Sequence, residues 1–220
     1  MLVRDYMTRH PLLADPQMSA VEAQRYMVEA NIRRLPVVGD GKRLLGLVTR
    51  QTLLVDPGKL GSLNMWEIAG YLSRLTLKDV MIKAKDVTTV GPDITIEEAA
   101  RIMVEKRIGC LPVLDGEPSV VVGIITETDL MAQLMEMMAT RSRGVRATVR
   151  MANDKPGELA KLVAAIAAQG WGIRALGGSV VARNPERWDA VIKIEGVTPA
   201  QLLAVLRGVE GQEVVDIREA

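Results

Sequence analysis

Phenylalanine is absent from this sequence and aromatic residues make up only 3% of it. The apolar interior must therefore be filled by aliphatic side chains and by the twelve methionines, whose unbranched thioethers adapt to irregular gaps. Histidine occurs once, at His10, which excludes a zinc site or acid–base pair built on two imidazoles within one chain. The single cysteine, Cys110, excludes an internal disulfide. Flanked by Gly109 and Leu111 at the entrance to an apolar run, it reads as a small core residue rather than a reactive thiol. Charge of one sign is not in excess: 28 Lys and Arg stand against 27 Asp and Glu, so no global field favours nucleic acid or an anionic membrane. The opening stretch, Met1–Thr8, carries Arg4 and Asp5 and has no apolar run long enough for a signal peptide or a membrane span. A cytoplasmic protein is expected, with neither nucleic acid nor membrane as partner. Nor does the sequence show a nucleophile beside a base, a metal-ligand cluster or a glycine-rich phosphate loop. The expectation is a protein that is not an enzyme and requires no metal or catalytic cofactor.

What is present is a stretch that occurs twice. Residues 25–38 read RYMVEANIRRLPVV and residues 101–114 read RIMVEKRIGCLPVL. Each copy leads to a second shared element, GLVTRQT at 46–52 and GIITETD at 123–129. Ser19 with Glu22, and Thr95 with Glu98, have the spacing of capping boxes, each ahead of a helical apolar stripe. Leu35–Val38 and Leu44–Val48, joined by the turn at 39–42, read as paired strands, as do Leu111–Leu114 and Val120–Ile125. The segment from Pro11 to Pro16 reads as extended, Val87–Val90 as a strand, and Thr49–Leu54 as the start of a helix interrupted by Asp56, Pro57 and Gly58. A connector follows, with a helix capped by Ser62 and apolar at Leu63, Trp66, Ile68, Ala69 and Leu72. Leu77–Met81 echoes Val3–Met7. Two such repeats are too short for a stable solenoid and are expected to pack into one pseudo-symmetric module.

After Asp129 a helix over 130–138 runs into a polar, glycine-ended linker at 139–144. From Val145 the pattern restarts as strand, helix, strand, strand, helix, strand. With 48% hydrophobic residues in 220, two modest domains can each bury a core.

The paired elements, Leu-Pro-Val-hydrophobic and Gly-hydrophobic-hydrophobic-Thr-x-x-Asp, closely resemble the cystathionine-β-synthase (CBS) domain. The resemblance covers residues 1–138: a first motif over 1–56, then the connector and a second motif over 57–138, together one Bateman module. It implies an adenine nucleotide (AMP- or ATP-like) or S-adenosylmethionine as regulatory ligand, held in two clefts between the motifs. By the family pattern one cleft would use Ile124, Thr126, Thr128, Asp129 and Gly109 with Leu12, Leu13, Ile32, Arg33 and Pro36. Asp129 would accept the ribose hydroxyls, and Arg33, beside Arg34, would meet phosphate. The other cleft would use Leu47, Thr49 and Thr52 with Val87, Ile108 and Pro112. Thr52 stands there where the pattern has Asp, so this cleft is expected to be weaker, empty or tuned to another ligand. Asp129 and Thr126 are equally good helix caps, and the Leu-Pro-Val runs are core candidates.

Residues 153–160, NDKPGELA, followed by Gly170-Trp-Gly-Ile173, resemble the ACT-domain signature, covering about 145–220. This implies a ferredoxin-like βαββαβ domain that pairs side by side and binds a small effector, often an amino acid. Asn153, Asp154, Gly157, Glu158 and Leu159 would line that site, with Gly172 and Ile173 nearby, the helix N-terminus favouring a carboxylate. Pro156 and Gly157 also suffice as a tight turn, and Trp171 and Trp188 fit either a core or an interface. The fold class is thus α+β. The CBS-CBS-ACT order resembles acetoin-utilisation AcuB-type regulatory proteins. It implies a sensor in which nucleotide occupancy is coupled to an effector, assembled as a homodimer or higher homo-oligomer. The alternative is an interaction protein with vestigial clefts that docks on an enzyme or transporter.

Overall fold

The computed structural model describes residues 1–54 and 74–220; the apolar connector helix expected at 62–72 lies outside the described residues. The chain divides into two units, Met1–Leu130 and Met131–Ala220. Among the described residues no helix is long and apolar enough to cross a membrane.

In the first unit the two repeats build two small sheets, each completed by a strand from the other repeat. The first repeat contributes α1 (Val3–Tyr6), β1 (Thr8–Arg9), α2 (Ala20–Glu29), β2 (Arg34–Val38) and β3 (Leu44–Thr49). The second contributes α3 (Leu77–Val80), β4 (Ile82–Lys83), α4 (Ile96–Lys106), β5 (Cys110–Asp115) and β6 (Val120–Thr126). The hairpins β2–β3 and β5–β6 form as the continuous apolar runs require: Leu35 and Val37, like Leu111 and Val113, are fully buried, and Pro36 and Pro112 between them are buried too. Their third strands are exchanged. β1 pairs with β6, Thr8 opposite Ile124, and β4 pairs with β3, Leu47 opposite Ile82. The helical turns before them follow the same exchange. Val3 is buried with Leu111 and Ile125 in one core, and Leu77 with Leu35 and Val48 in the other.

The helices start where the sequence places them. The Ser19 hydroxyl accepts from Glu22 N at 3.1 Å and Thr95 from Glu98 N at 3.1 Å, satisfying N–H groups that have no partner within the helix. Val3–Tyr6 forms a helical turn. Two local readings change. Val87–Val90 is not a strand: its apolar residues follow the 3-10 turn Ala84–Asp86, and only Val90 bridges, to Val113. Ala14 makes the matching single bridge to Val37. Residues 50–54 form a turn and a bend rather than a helix, because Thr49 and Thr52 bond to each other across the corner.

Helix α5 (Glu127–Met137) starts directly at the end of β6. The second unit then runs β7 (Val145–Ala152), α6 (Glu158–Ala167), β8 (Ile173–Val181), β9 (Asn184–Ile194), α7 (Pro199–Arg207) and β10 (Glu213–Glu219). Its four-stranded sheet has the order β10-β7-β9-β8, antiparallel throughout, which is the βαββαβ arrangement read from the sequence. The alternation in β7 buries Val145, Ala147, Val149 and Met151 with Leu162, Ile166, Leu202 and Leu206 from the two helices. Trp171 and Trp188 pack against this core. The opposite face carries paired charges: Arg150 grips Asp189 through two hydrogen bonds of 2.8 and 2.9 Å, and Arg146 reaches Asp216 at 2.9 Å. Buried Lys193 is satisfied by the Ala139 carbonyl at 3.1 Å.

Candidate functional site

The exchange of strands places β1 beside the end of β6 and so opens a cavity of about 680 Å³ between the repeats. Leu12, Ile32, Arg33, Pro36, Ile124, Thr126, Thr128 and Asp129 all line it. Two residues expected there are elsewhere. Leu13 is not part of the lining, since the alternation of an extended segment turns it away from the side that Leu12 takes, and Gly109 faces the other cavity. Thr8, His10, Pro11, Asn31, Arg34 and Arg50 complete the wall.

At the corner between β6 and α5, Asp129 Oδ2 accepts from Thr126 N and from Thr126 Oγ1, both at 2.8 Å, and Asp129 N donates to Thr126 Oγ1 at 3.3 Å. Asp129 is therefore a cap, as the alternative reading allowed. Only one of its two carboxylate oxygens is used: among the described residues Oδ1 makes no hydrogen bond. A carboxylate has about four lone-pair sites, so the cap leaves acceptor capacity at the cavity wall.

The second cavity, about 620 Å³, is lined by Leu47, Thr49, Thr52, Val87 and Ile108 as expected, together with Gly109, Cys110, Asp86, Thr88 and Arg107. Pro112 does not line it. Pro112 is buried in β5, with its carbonyl bound to Val90 N at 3.2 Å. At this corner Thr52 Oγ1 accepts from Thr49 N at 2.9 Å and donates to the Thr49 carbonyl at 3.0 Å, while Thr49 Oγ1 accepts from Thr52 N at 3.2 Å. The hydroxyl proton of Thr52 is thus committed within the turn. Cys110 is 4% exposed, and burial pushes its thiol up to about 11 against the pull of Arg34, as suits an inert core residue.

The partition between the cavities is made of two contacts that cross from one repeat to the other. Arg33 donates to Thr128 Oγ1 at 3.1 Å and Arg34 pairs with Glu127 Oε1 at 3.3 Å. Gly109 lies beneath the second pair, and a Cβ there would run into both Glu127 and Arg34. Arg33, Arg34 and Arg50 each line both cavities.

In the second unit the effector residues do not converge. Asn153 Nδ2 donates to the Pro185 carbonyl near the start of β9 at 3.0 Å, and Asp154 lines a shallow hollow of about 460 Å³ with Lys155, Pro156, Glu186 and Arg187. Gly157, at φ 88°, heads α6 with no side-chain cap. Glu158 is 3% exposed, its Oε1 held by Lys161 at 2.9 Å, and this pairing keeps its carboxyl below the usual range. Leu159 and Ile173 pack on the core. Gly172 and Ile173 sit at the opposite end of the sheet: Ile173 is level with Val145, whereas the loop after Ala152 lies a strand length away, roughly 20 Å. The effector site drawn from the sequence thus splits between the two ends of the sheet within one chain.

Two matched hairpins, each ending in a capped Thr corner over a cavity, form a constellation that comparison can place. The family model described as the CBS domain matches residues 3–55 and 77–136. The chain belongs to the CBS-domain family. Protein MJ1225 of Methanocaldococcus jannaschii is 33% identical over 130 residues, covering 59% of this chain and 46% of that protein. The inosine-5'-monophosphate dehydrogenase of Korarchaeum cryptofilum is 34% identical over 144 residues, covering 66% and 26%. The chain thus spans less than half the length of these two relatives. Among solved structures, a candidate acetoin utilization protein (AcuB) from Vibrio cholerae superposes with a TM-score of 0.52 at 32% identity, covering 64% of this chain and 95% of that one.

Sequence reasoning missed His10 and Arg50 in the CBS pair. His10 reaches the first cavity only because β1 is exchanged onto β6, and it adopts a left-handed backbone, φ 49°. Arg50 stands where the second repeat has Glu127, and that charge reversal within an otherwise repeated element was the available signal.

Proposed function

We propose that this CBS pair is a non-catalytic sensor that binds an adenine nucleotide or related adenosyl ligand in the cavity at Asp129. The observation that carries the reading is the unused Asp129 oxygen. It lies in a cavity that also presents the apolar Ile32, Pro36 and Ile124 for a base, the Thr126 and Thr128 hydroxyls, and Arg33 for phosphate. Asp129 accepts the ribose hydroxyls, and Arg33 exchanges its Thr128 contact for a phosphate oxygen. The second cavity, with Thr52 at its corner, takes the same class of ligand more weakly. Membership in the CBS-domain family supports this assignment.

The βαββαβ unit is read as an ACT-like domain, with the boundary at the 139–144 linker. It binds a small effector, an amino acid in the leading case, or pairs with a second copy. Nucleotide occupancy acts on it through α5, whose first turn carries Thr128 and Asp129. Such coupling is reciprocal: if nucleotide changes effector affinity, effector changes nucleotide affinity by the same factor. Calorimetry with AMP, S-adenosylmethionine and the free amino acids, singly and in pairs, tests both halves. Unchanged constants in the pairs remove the coupling and leave binding intact. The second reading is an interaction protein with vestigial clefts that docks on an enzyme or transporter, and absence of any thermal shift with adenosyl ligands would select it.

A further inference from the structure

The three arginines between the clefts are fewer than the repeat would supply. Where the first repeat has Arg33 and Arg34, the second has Gly109 and Cys110. The bare backbone at Gly109 is what admits the Arg34–Glu127 contact, since any Cβ there would collide with it. The first repeat's cations thereby stand on the midline of the module, and Arg33, Arg34 and Arg50 line both cavities rather than one each.

We propose that these arginines form one anion centre shared by the two clefts, so that two phosphate-bearing ligands bind with negative cooperativity while two uncharged nucleosides bind without it. This rests on the nucleotide reading above and adds a regulatory property to it. A guanidinium offers its planar fork to one phosphate at a time. Once a phosphate in the Asp129 cleft has drawn the arginines to itself, a second phosphate meets a neutralised centre and the field of the first. Arg33 and Arg50 are exposed and Arg34 is half-buried, so this repulsion acts most strongly at low salt and is screened as salt is added. The local carboxylates do not relieve the competition. Glu127 already pairs with Arg34 at 3.3 Å, and Asp129 and Asp86 each line one cleft only, adding negative charge to it. The second cleft is therefore weaker for a phosphorylated ligand on two counts, the Thr52 corner and the loss of shared cations, and only the second count depends on charge.

Calorimetric titration of the full chain with AMP and, separately, with adenosine tests this at low and high NaCl. The expected result is that the two stepwise constants lie at least about tenfold further apart for AMP than for adenosine at low salt, and that the extra gap shrinks as salt is raised. Arg50→Gln is expected to weaken both AMP steps together. The same ratio for both ligands, one molecule of each bound at saturation, or a loss confined to one step in Arg50→Gln would overturn the shared centre while leaving nucleotide binding in place. Binding of neither ligand would overturn the nucleotide reading, and the shared centre with it.

Discussion

The Thr49–Thr52 corner and the Thr126–Asp129 corner do the same structural work with different residues. In both, the fourth residue caps the backbone N–H of the first and the first caps the N–H of the fourth. Threonine completes this with a single oxygen whose proton is spent on the Thr49 carbonyl, at 3.0 Å. Aspartate completes it with Oδ2 alone. The fold therefore accepts either residue, and the difference between them is left over for ligand chemistry. A residue's role as a cap does not compete with a role in binding when the side chain has a second acceptor.

If the repeats are equivalent as architecture and unequal only as chemistry, matched core substitutions must cost the same. Leu35→Ala and Leu111→Ala, at fully buried and equivalent positions, are each expected to lower stability by about 2–5 kcal/mol. Chemical denaturation of the two variants should give losses within about 1 kcal/mol of one another. A large disparity would break the comparison at the level of the core.

The glycines that start the shared GLVT and GIIT elements give a finer contrast. A Cβ on Gly46 meets the Ile82 carbonyl of the exchanged strand as well as Met81, whereas the three atoms nearest a Cβ on Gly123 all belong to the flexible side chain of Met7. Gly46→Ala is expected to cost about 1–3 kcal/mol and Gly123→Ala less, because a thioether rotates aside and a paired backbone does not. Equal thermal shifts would show that the two exchanged strands yield alike.

The smallest effect separates the βαββαβ unit from the CBS pair by pH. Two hydrogen bonds from Arg150 hold the Asp189 carboxyl below its ordinary range. A depressed pKa contributes stability that is fully present above the unfolded value, about 3.9, and is lost as pH falls through the folded one. With Asp189 only partly exposed, Asp189→Asn should cost less than about 1 kcal/mol at neutral pH and nothing at strongly acidic pH. Melting curves between these limits check it, and an effect that grows as pH falls would contradict the assignment.

The local features of the fold were legible because their signals are local. Ser19 and Thr95 announce their helices three residues ahead of Glu22 and Glu98, and the continuous apolar runs Leu35–Val37 and Leu111–Val113 declare strands buried along their length. Strand exchange was not legible. β1 and β4 are two residues long, too short to carry periodicity, and their partners lie in the other repeat. That one hidden fact removed His10 from view as a cavity residue and concealed that Arg34 and Arg50 join Arg33 in lining both cavities. The same limit explains Gly172 and Ile173. Their distance in sequence from the Asn153 loop is short, but a helix of ten residues carries the chain back along the sheet, and only strand register reveals that the two ends are apart. Val87–Val90 misled because β-branched residues favour strands in general, whereas pairing here reaches Val90 alone.

In the proposed sensor the Asp129 corner, not the Thr52 corner, dominates nucleotide binding. Calorimetric titration of AMP into the parent chain, Asp129→Ala and Thr52→Ala, with folding of each verified by circular dichroism, measures it directly. Asp129→Ala is expected to weaken the tighter constant by about tenfold or more, the value of one charge-assisted hydrogen bond, while Thr52→Ala leaves that constant unchanged. Retention of the parent's affinity in Asp129→Ala, or its loss in Thr52→Ala, would contradict it.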